Sequence, residues 1–260
     1  MTDLDHFEKI RVELDDNVAV VELNDPPHNY FSLQLLGETA DAYEALDKIP
    51  ECRVIVLAAN GKSFCAGGNF SGGGVAGGSR FKGNIYDHAV RLFRAKKPVV
   101  AAVQGAAVGG GLGLALSADF RVACPETRFS ANFARLGFHC GFGLSETLPR
   151  LVGPQQAARL LYSGRRVKGD EAVDLGLADV FVEKQGELRS AALAVAAEIA
   201  ESAPLAVQSM RETLRQGLAD RVEAATKREG AEQEWLMKTE DTREGIQAYS
   251  ERRAPNFQGR

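Results

Sequence analysis

Paired cysteines are missing from this sequence. Cys52, Cys65, Cys124 and Cys140 show neither the spacing of a metal knuckle nor that of a redox motif. Free, buried thiols in a reducing compartment are the expectation. Histidine is equally sparse: His6, His28, His88 and His139 form no His-x-x-x-His pair, so no metal site is expected. No segment reaches the roughly 18 uncharged apolar residues of a membrane span. The start, Met1 to Glu8, is acidic and has no apolar signal core. The expectation is a cytoplasmic protein with no membrane partner, and the Asn69-Phe70-Ser71 sequon is read as chance. Excess positive charge is also lacking. A formal net charge of -4 gives no reason to expect a nucleic-acid partner.

Three familiar nucleotide or nucleophile motifs are incomplete. Gly61-Lys62-Ser63 would need a glycine at position 56 to open a phosphate loop, and Val56 stands there. The glycines from 105 to 113 do not fit Gly-x-Gly-x-x-Gly, because Leu114 holds the last required position counted from Gly109. There is no Gly-x-Ser-x-Gly elbow, so a serine hydrolase would have no nucleophile.

What is present is ordinary in bulk. Hydrophobic content is 45% and charged content 25%, as in soluble globular domains. A chain of 260 residues can bury one large core, or a core with a small appendage.

The informative segments are two strand-to-loop joints rich in glycine. Pro98–Val103 reads as an apolar strand and Gln104-Gly105 as a turn. Gly109-Gly110-Gly111-Leu112-Gly113-Leu114 then opens an apolar helix reaching Ala118. Consecutive glycines let a ligand approach the backbone closely. The first N–H groups of a helix lack internal partners and sit at the positive end of its dipole. Such a joint suits a carbonyl oxygen that is becoming an oxyanion; a close-packed helix start is the alternative. The second joint follows the strand Arg53–Ala59 and runs Gly61-Lys62-Ser63-Phe64-Cys65-Ala66-Gly67-Gly68-Asn69-Phe70. Each joint could supply one N–H to a single oxygen.

The rest of the chain reads as strands alternating with helices, then helices alone, which argues α/β architecture. Ile10–Leu14 and Val18–Leu23 form a hairpin, and helices run over Ser32–Asp47 and Asn84–Ala95. Asp119–Cys124, Arg128–Ser130 and Ala178–Val182 read as strands. Helices are expected over Pro154–Ser163, Gly169–Leu175, Glu187–Glu201, Pro204–Ala219, Arg221–Trp235 and Thr242–Tyr249. The glycine- and serine-rich stretch 71–79 reads either as a surface loop or as a lid beside the first joint.

The two joints together resemble the crotonase superfamily, the enoyl-CoA hydratase/isomerase family. The likeness also covers Asn24–Asn29, Lys97–Val103, Ala118–Ala123, Leu148–Gly153, Ala172–Leu177 and Arg253–Phe257 in order. It implies a spiral of ββα units with a C-terminal helical oligomerisation region. The division implied is residues 1–200 for the core with the thioester site and 201–260 for trimerisation, with a homotrimer or dimer of trimers as the assembly. It implies an acyl-CoA thioester as partner and no tightly bound cofactor, coenzyme A being part of the substrate. Gly68 and Gly110 match the oxyanion-hole amides. His28, Ala66, Gly68, Asn69 and Phe70 fall on the coenzyme-binding stretch, with Asn69 in place of the usual aspartate.

The resemblance also exposes a departure. The two hydratase glutamates would fall at Gly113 and Phe133, and a third acid position used by some relatives falls at Gly141. None can transfer a proton. Tyr86, Gly113, Phe133, Gly141 and Glu146 are expected around the acyl pocket. His139, in a glycine-flanked turn, is the expected proton carrier because imidazole titrates near neutrality; a structural histidine is the alternative. Glu146 reads as a helix-start carboxylate or a catalytic one. The expected function is an acyl-CoA enzyme of this family with atypical acid–base residues. The alternatives are a crotonase-fold protein that binds acyl-CoA without catalysis, and a structural subunit.

Overall fold

The computed structural model describes residues 4, 6–69 and 81–260. Phe70 and the stretch 71–79 lie outside the described residues.

Strands β1 (Ile10–Asp15) and β2 (Val18–Leu23) pair antiparallel around a short turn. β3 (Val54–Ala59), β4 (Val99–Val103), β6 (Phe120–Ala123) and β9 (Val180–Phe181) then add in parallel, giving the sheet order β1-β2-β3-β4-β6-β9. β3 and β4 read as unbroken apolar runs because both faces are covered. Val54, Val56 and Ala58 point toward α6 (Leu188–Ala200) and its Leu188, Ala192 and Ala196. Ile55 and Leu57 point the other way, into the main core with α1 (Leu33–Leu46), α2 (Ile85–Phe93) and α3 (Gly110–Ser117). A second small sheet has the order β5 (Ala106–Val108), β7 (Arg128–Ser130), β8 (Arg166–Lys168).

Capping fixes the two helices that approach the site. Ser32 Oγ accepts from Leu35 N–H (3.1 Å) at the start of α1. Asn84 Oδ1 accepts from Tyr86 N–H (2.9 Å) at the start of α2. Each satisfies one orphan donor of its first turn.

Several elements differ from the sequence expectation. β5 and β8 are strands of only three residues, too short for periodicity to reveal. α4 runs Leu144–Ser163, joining the helix start expected at Glu146 to the helix expected from Pro154, and bends at Gly153, which adopts φ 76° and ψ 161°. Positive φ at glycine breaks the helix without ending it. After α5 (Gly169–Asp174) and α6, α7 (Pro204–Leu214) ends before the expected Ala219, and α8 runs Leu218–Leu236 from a left-handed Gly217. α9 spans Glu240–Glu251.

The C-terminal helices pack on their own chain. Asp119, at the start of β6, accepts from Val99 N–H (2.8 Å), and Arg211 Nε (2.9 Å) and Arg215 Nη1 (2.7 Å) of the α7 end pair with it. Burial alone would raise the Asp119 carboxyl; the two guanidiniums outweigh that and hold it below the usual range. Glu229 of α8 is fully buried and accepts from Gly143 N–H (2.7 Å), Ser145 N–H (2.9 Å) and Ser145 Oγ (2.7 Å) at the start of α4. No single helix among the described residues is long and apolar enough to cross a membrane.

Candidate active site

The two glycine joints meet through backbone hydrogen bonds. Cys65 pairs with Ala107 of β5 in a parallel bridge: Cys65 N–H donates to the Ala106 carbonyl (3.0 Å), and Val108 N–H donates to the Cys65 carbonyl (3.1 Å). On its other side the first joint is held by residues 28–31. Ala66 N–H donates to the His28 carbonyl (3.0 Å) and Phe31 N–H to the Gly67 carbonyl (2.9 Å).

The triple glycine is a packing requirement. A Cβ on Gly111 would fall on the Cys65 carbonyl, and one on Gly110 would lie 2.7 Å from the Phe31 ring. Gly109 caps α3 at φ 57° and ψ -118°, where a side chain is strained. The close-packed helix start and the exposed amides are therefore the same feature.

Gly68 and Gly110 both line one cavity of about 340 Å³. Their N–H groups find no acceptor among the described residues. Gly110 is the first residue of α3, so its N–H has no intrahelical partner and sits at the positive dipole end. The walls are mainly apolar: Phe31, Val108, Phe133, Leu136 and Phe138. Phe133 is 7% exposed and meets Phe138 edge-on, with ring centroids 5.8 Å apart. Tyr86 closes one side, and Gln233 and Met237 of α8 contribute another.

Aromatic rings take the space at all three positions where an acid was sought. Phe133 brings its own ring to the wall. At position 113 a Cβ would stand 2.6 Å from Phe142 Cβ. At position 141 a Cβ would fall on the Tyr86 hydroxyl. Gly113 and Gly141 accordingly do not line the cavity, contrary to expectation.

Two other expected side chains are elsewhere. His139 lines a separate cavity with Cys140, Tyr162 and Trp235. Its Nδ1–H donates to the Cys140 carbonyl (2.9 Å), and only its own backbone carbonyl reaches toward the site, accepting from Gln233 Nε2 (2.9 Å). The turn that was to present the imidazole presents the main chain instead. Glu146 pairs with Arg221 Nε (2.8 Å) across α4 and α8, away from the cavity. The helix-start reading of Glu146 is the one its position fits.

The coenzyme stretch is only partly at the cavity. Ala66 lines it with Gly68. His28 backs the joint through its carbonyl, its ring 3.3 Å from Ser63 Oγ. Asn69 does not line the cavity, and Phe70 lies outside the described residues.

The ionisable side chains lining the cavity, among the described residues, are Tyr86, Glu234 and Tyr249. Glu234 is 78% exposed and pairs with Lys238, so it is a rim group. Tyr86 is partly buried, and its desolvation pushes its phenol up to about 12, with the Gln233 hydrogen bond opposing the shift. It stays neutral at pH 7. Sequence reading missed Gln233, whose partner Tyr86 is 147 residues distant. No local spacing signals that pairing.

This arrangement, a parallel sheet with two glycine joints stitched beside an apolar cavity, is the crotonase fold. A family model for enoyl-CoA hydratase/isomerase matches residues 13–260, and the chain belongs to that family. It is 34% identical over 256 residues to a crotonyl-CoA hydratase of Syntrophomonas wolfei, covering 96% of this chain and 98% of that protein. It is 32% identical over 254 residues to a probable enoyl-CoA hydratase of Bacillus subtilis, covering 96% and 98%. A crystal structure of an enoyl-CoA hydratase/isomerase from Pseudoalteromonas atlantica superposes with a TM-score of 0.87 at 28% identity, covering 96% of this chain and all of that one.

Proposed function

We propose that this chain binds an acyl-CoA thioester and polarises its carbonyl between the N–H groups of Gly68 and Gly110. The observation that carries the proposal is the pair of unengaged amides on one largely apolar cavity. Charge developing on a thioester oxygen would meet two fixed donors, one reinforced by the α3 dipole. The reaction class is that of a lyase or isomerase passing through a thioester enolate, in keeping with the hydratase/isomerase family and with relatives that are a crotonyl-CoA hydratase and a probable enoyl-CoA hydratase. Its proton traffic differs from a two-carboxylate hydration, because Gly113 and Phe133 stand where the resemblance puts the glutamates. No metal or bound cofactor is needed for this step.

A second reading, acyl-CoA binding without turnover, is favoured by one observation. No buried carboxylate lines the cavity among the described residues. A homotrimer is proposed as the assembly, supported by the exposed apolar side chains Leu205, Met210 and Leu214 on α7 and Trp235 on α8.

Calorimetry with CoA, butyryl-CoA and crotonyl-CoA, alongside mass-spectrometric turnover of the last, tests both. Binding of the thioesters with product formation supports the enzyme. Binding without product supports the second reading. Failure of all three compounds to bind sinks the proposal.

A further inference from the structure

We infer that the Tyr86 hydroxyl oxygen, pinned by Gln233, selects acyl chains that carry a hydroxyl group. This rests on the acyl-CoA reading above and names the substrate feature that the same cavity reads.

The inference follows from the direction of one hydrogen-bond chain. A backbone carbonyl can only accept, so the group facing the His139 carbonyl at 2.9 Å must be the Gln233 amide nitrogen. That turns Gln233 Oε1 toward Tyr86, 3.1 Å away. An amide oxygen also only accepts, so Tyr86 donates its single proton to it. The phenol oxygen is left with its lone pairs, and no group among the described residues donates to them. Tyr86 and Gln233 both line the cavity. The Tyr86 oxygen is therefore an acceptor on a cavity that also carries the Gly68 and Gly110 amides and Asn132, and its own complement is a donor such as an acyl-chain hydroxyl.

The acceptor is held in place at both ends. Asn84 caps the first turn of α2 through Tyr86 N–H. Glu229, one turn before Gln233 on α8, is anchored to the start of α4. Gly141 leaves room for the phenol: a Cβ there would fall on its hydroxyl and lie 2.9 Å from Gln233 Nε2. Around it, Phe31, Phe133, Leu136 and Phe138 offer no competing acceptor. A hydroxyl desolvated against such walls without a partner is penalised, so the Tyr86 oxygen favours a chain that brings a donor to it.

The test is calorimetric binding of butyryl-CoA, 3-hydroxybutyryl-CoA and 4-hydroxybutyryl-CoA to the wild type, Tyr86→Phe and Gly141→Ala. The wild type should bind one hydroxylated thioester about threefold to tenfold more tightly than butyryl-CoA, the scale of one neutral hydrogen bond. In Tyr86→Phe that ratio should fall to about one. Gly141→Ala keeps the phenol but displaces its hydroxyl, and it should lose the preference too, so the test survives if either variant folds poorly. Equal binding of all three by the wild type overturns the inference and leaves the acyl-CoA reading standing. A preference that persists in folded Tyr86→Phe also overturns it, and points to another acceptor such as Asn132. If no thioester binds the wild type, the acyl-CoA reading falls and takes this inference with it.

Discussion

The ring of Phe142 holds the space that any side chain on Gly113 would need, with only 2.6 Å between Phe142 Cβ and a Cβ built on that glycine. Phe142 is fully buried and sits at φ 65°, an unusual conformation for a bulky residue. Its centroid lies 5.7 Å from that of Phe31 and 6.3 Å from that of Phe93, so it has nowhere to retreat.

Gly113→Ala should therefore destabilise by about 1–3 kcal/mol, the usual cost of overpacking. Combined with Phe142→Ala, the loss should be smaller than the sum of the two single losses, by about 1 kcal/mol or more. Chemical denaturation of the four proteins in this cycle measures the coupling. Strict additivity would show that the two residues do not compete for space.

Crotonyl-CoA hydration should be slow. With Phe133 on the wall and position 113 blocked, no carboxylate pair can activate water and protonate carbon. Turnover should stay well below about 10 per second, the middle of the range for enzymes. A mass-spectrometric rate at or above that value would reveal an acid–base pair that the geometry does not display.

Glu229→Ala should unfold the site's back wall. The substitution leaves the Gly143 and Ser145 amides of α4 without their acceptor. Unsatisfied buried donors cost about 1–3 kcal/mol each, so a loss of about 3 kcal/mol is expected, read as a lower denaturant midpoint. A loss under about 0.5 kcal/mol, the range of an ordinary surface change, would remove Glu229 from this role.

Acid should weaken the α1–α2 contact through His88. Burial, reinforced by the neighbouring Arg91 guanidinium, lowers its pKa from the ordinary 6.5, although Asp41, Asp87 and Glu44 pull the other way. Arg91 Nη1 donates to His88 Nδ1 (2.9 Å), an arrangement that needs neutral imidazole. The unfolded chain binds this proton more readily than the native one. The contribution is thus complete above the unfolded pKa and is lost as pH falls from there through the folded value. Between pH 7 and pH 5 the wild type should lose stability relative to His88→Gln. Parallel pH profiles for the two proteins would count against the assignment.

Much of the fold was legible because its strands are covered on both faces. Val54–Ala58 and Val99–Val103 are apolar throughout and stand out against any helical period. Of the residues expected at the candidate site, Gly68 and Gly110 of the main-chain joints and the side chains Tyr86 and Phe133 line the cavity. The placement of His139, Glu146 and Gln233 was not legible. His139 lies in the anticipated turn, yet the turn offers its carbonyl rather than its ring. Gln233 reaches the cavity from a helix whose sequence shows only mixed charge and a modest apolar face. Its role depends on α8 docking against α2 and α4, a tertiary event with no local signature.

The bridge between Cys65 and Ala107 limits what a side-chain substitution can disturb. It ties the two glycine joints together by main-chain bonds alone, independent of which side chains surround them. Substitution at positions 113, 133 and 141 can then reshape the wall, Phe133 by its own ring and Gly113 and Gly141 by leaving room for Phe142 and Tyr86, without breaking the bonds that join the two loops. The loop junction and the cavity wall are thus held by different bonds, and a change in the second need not disturb the first.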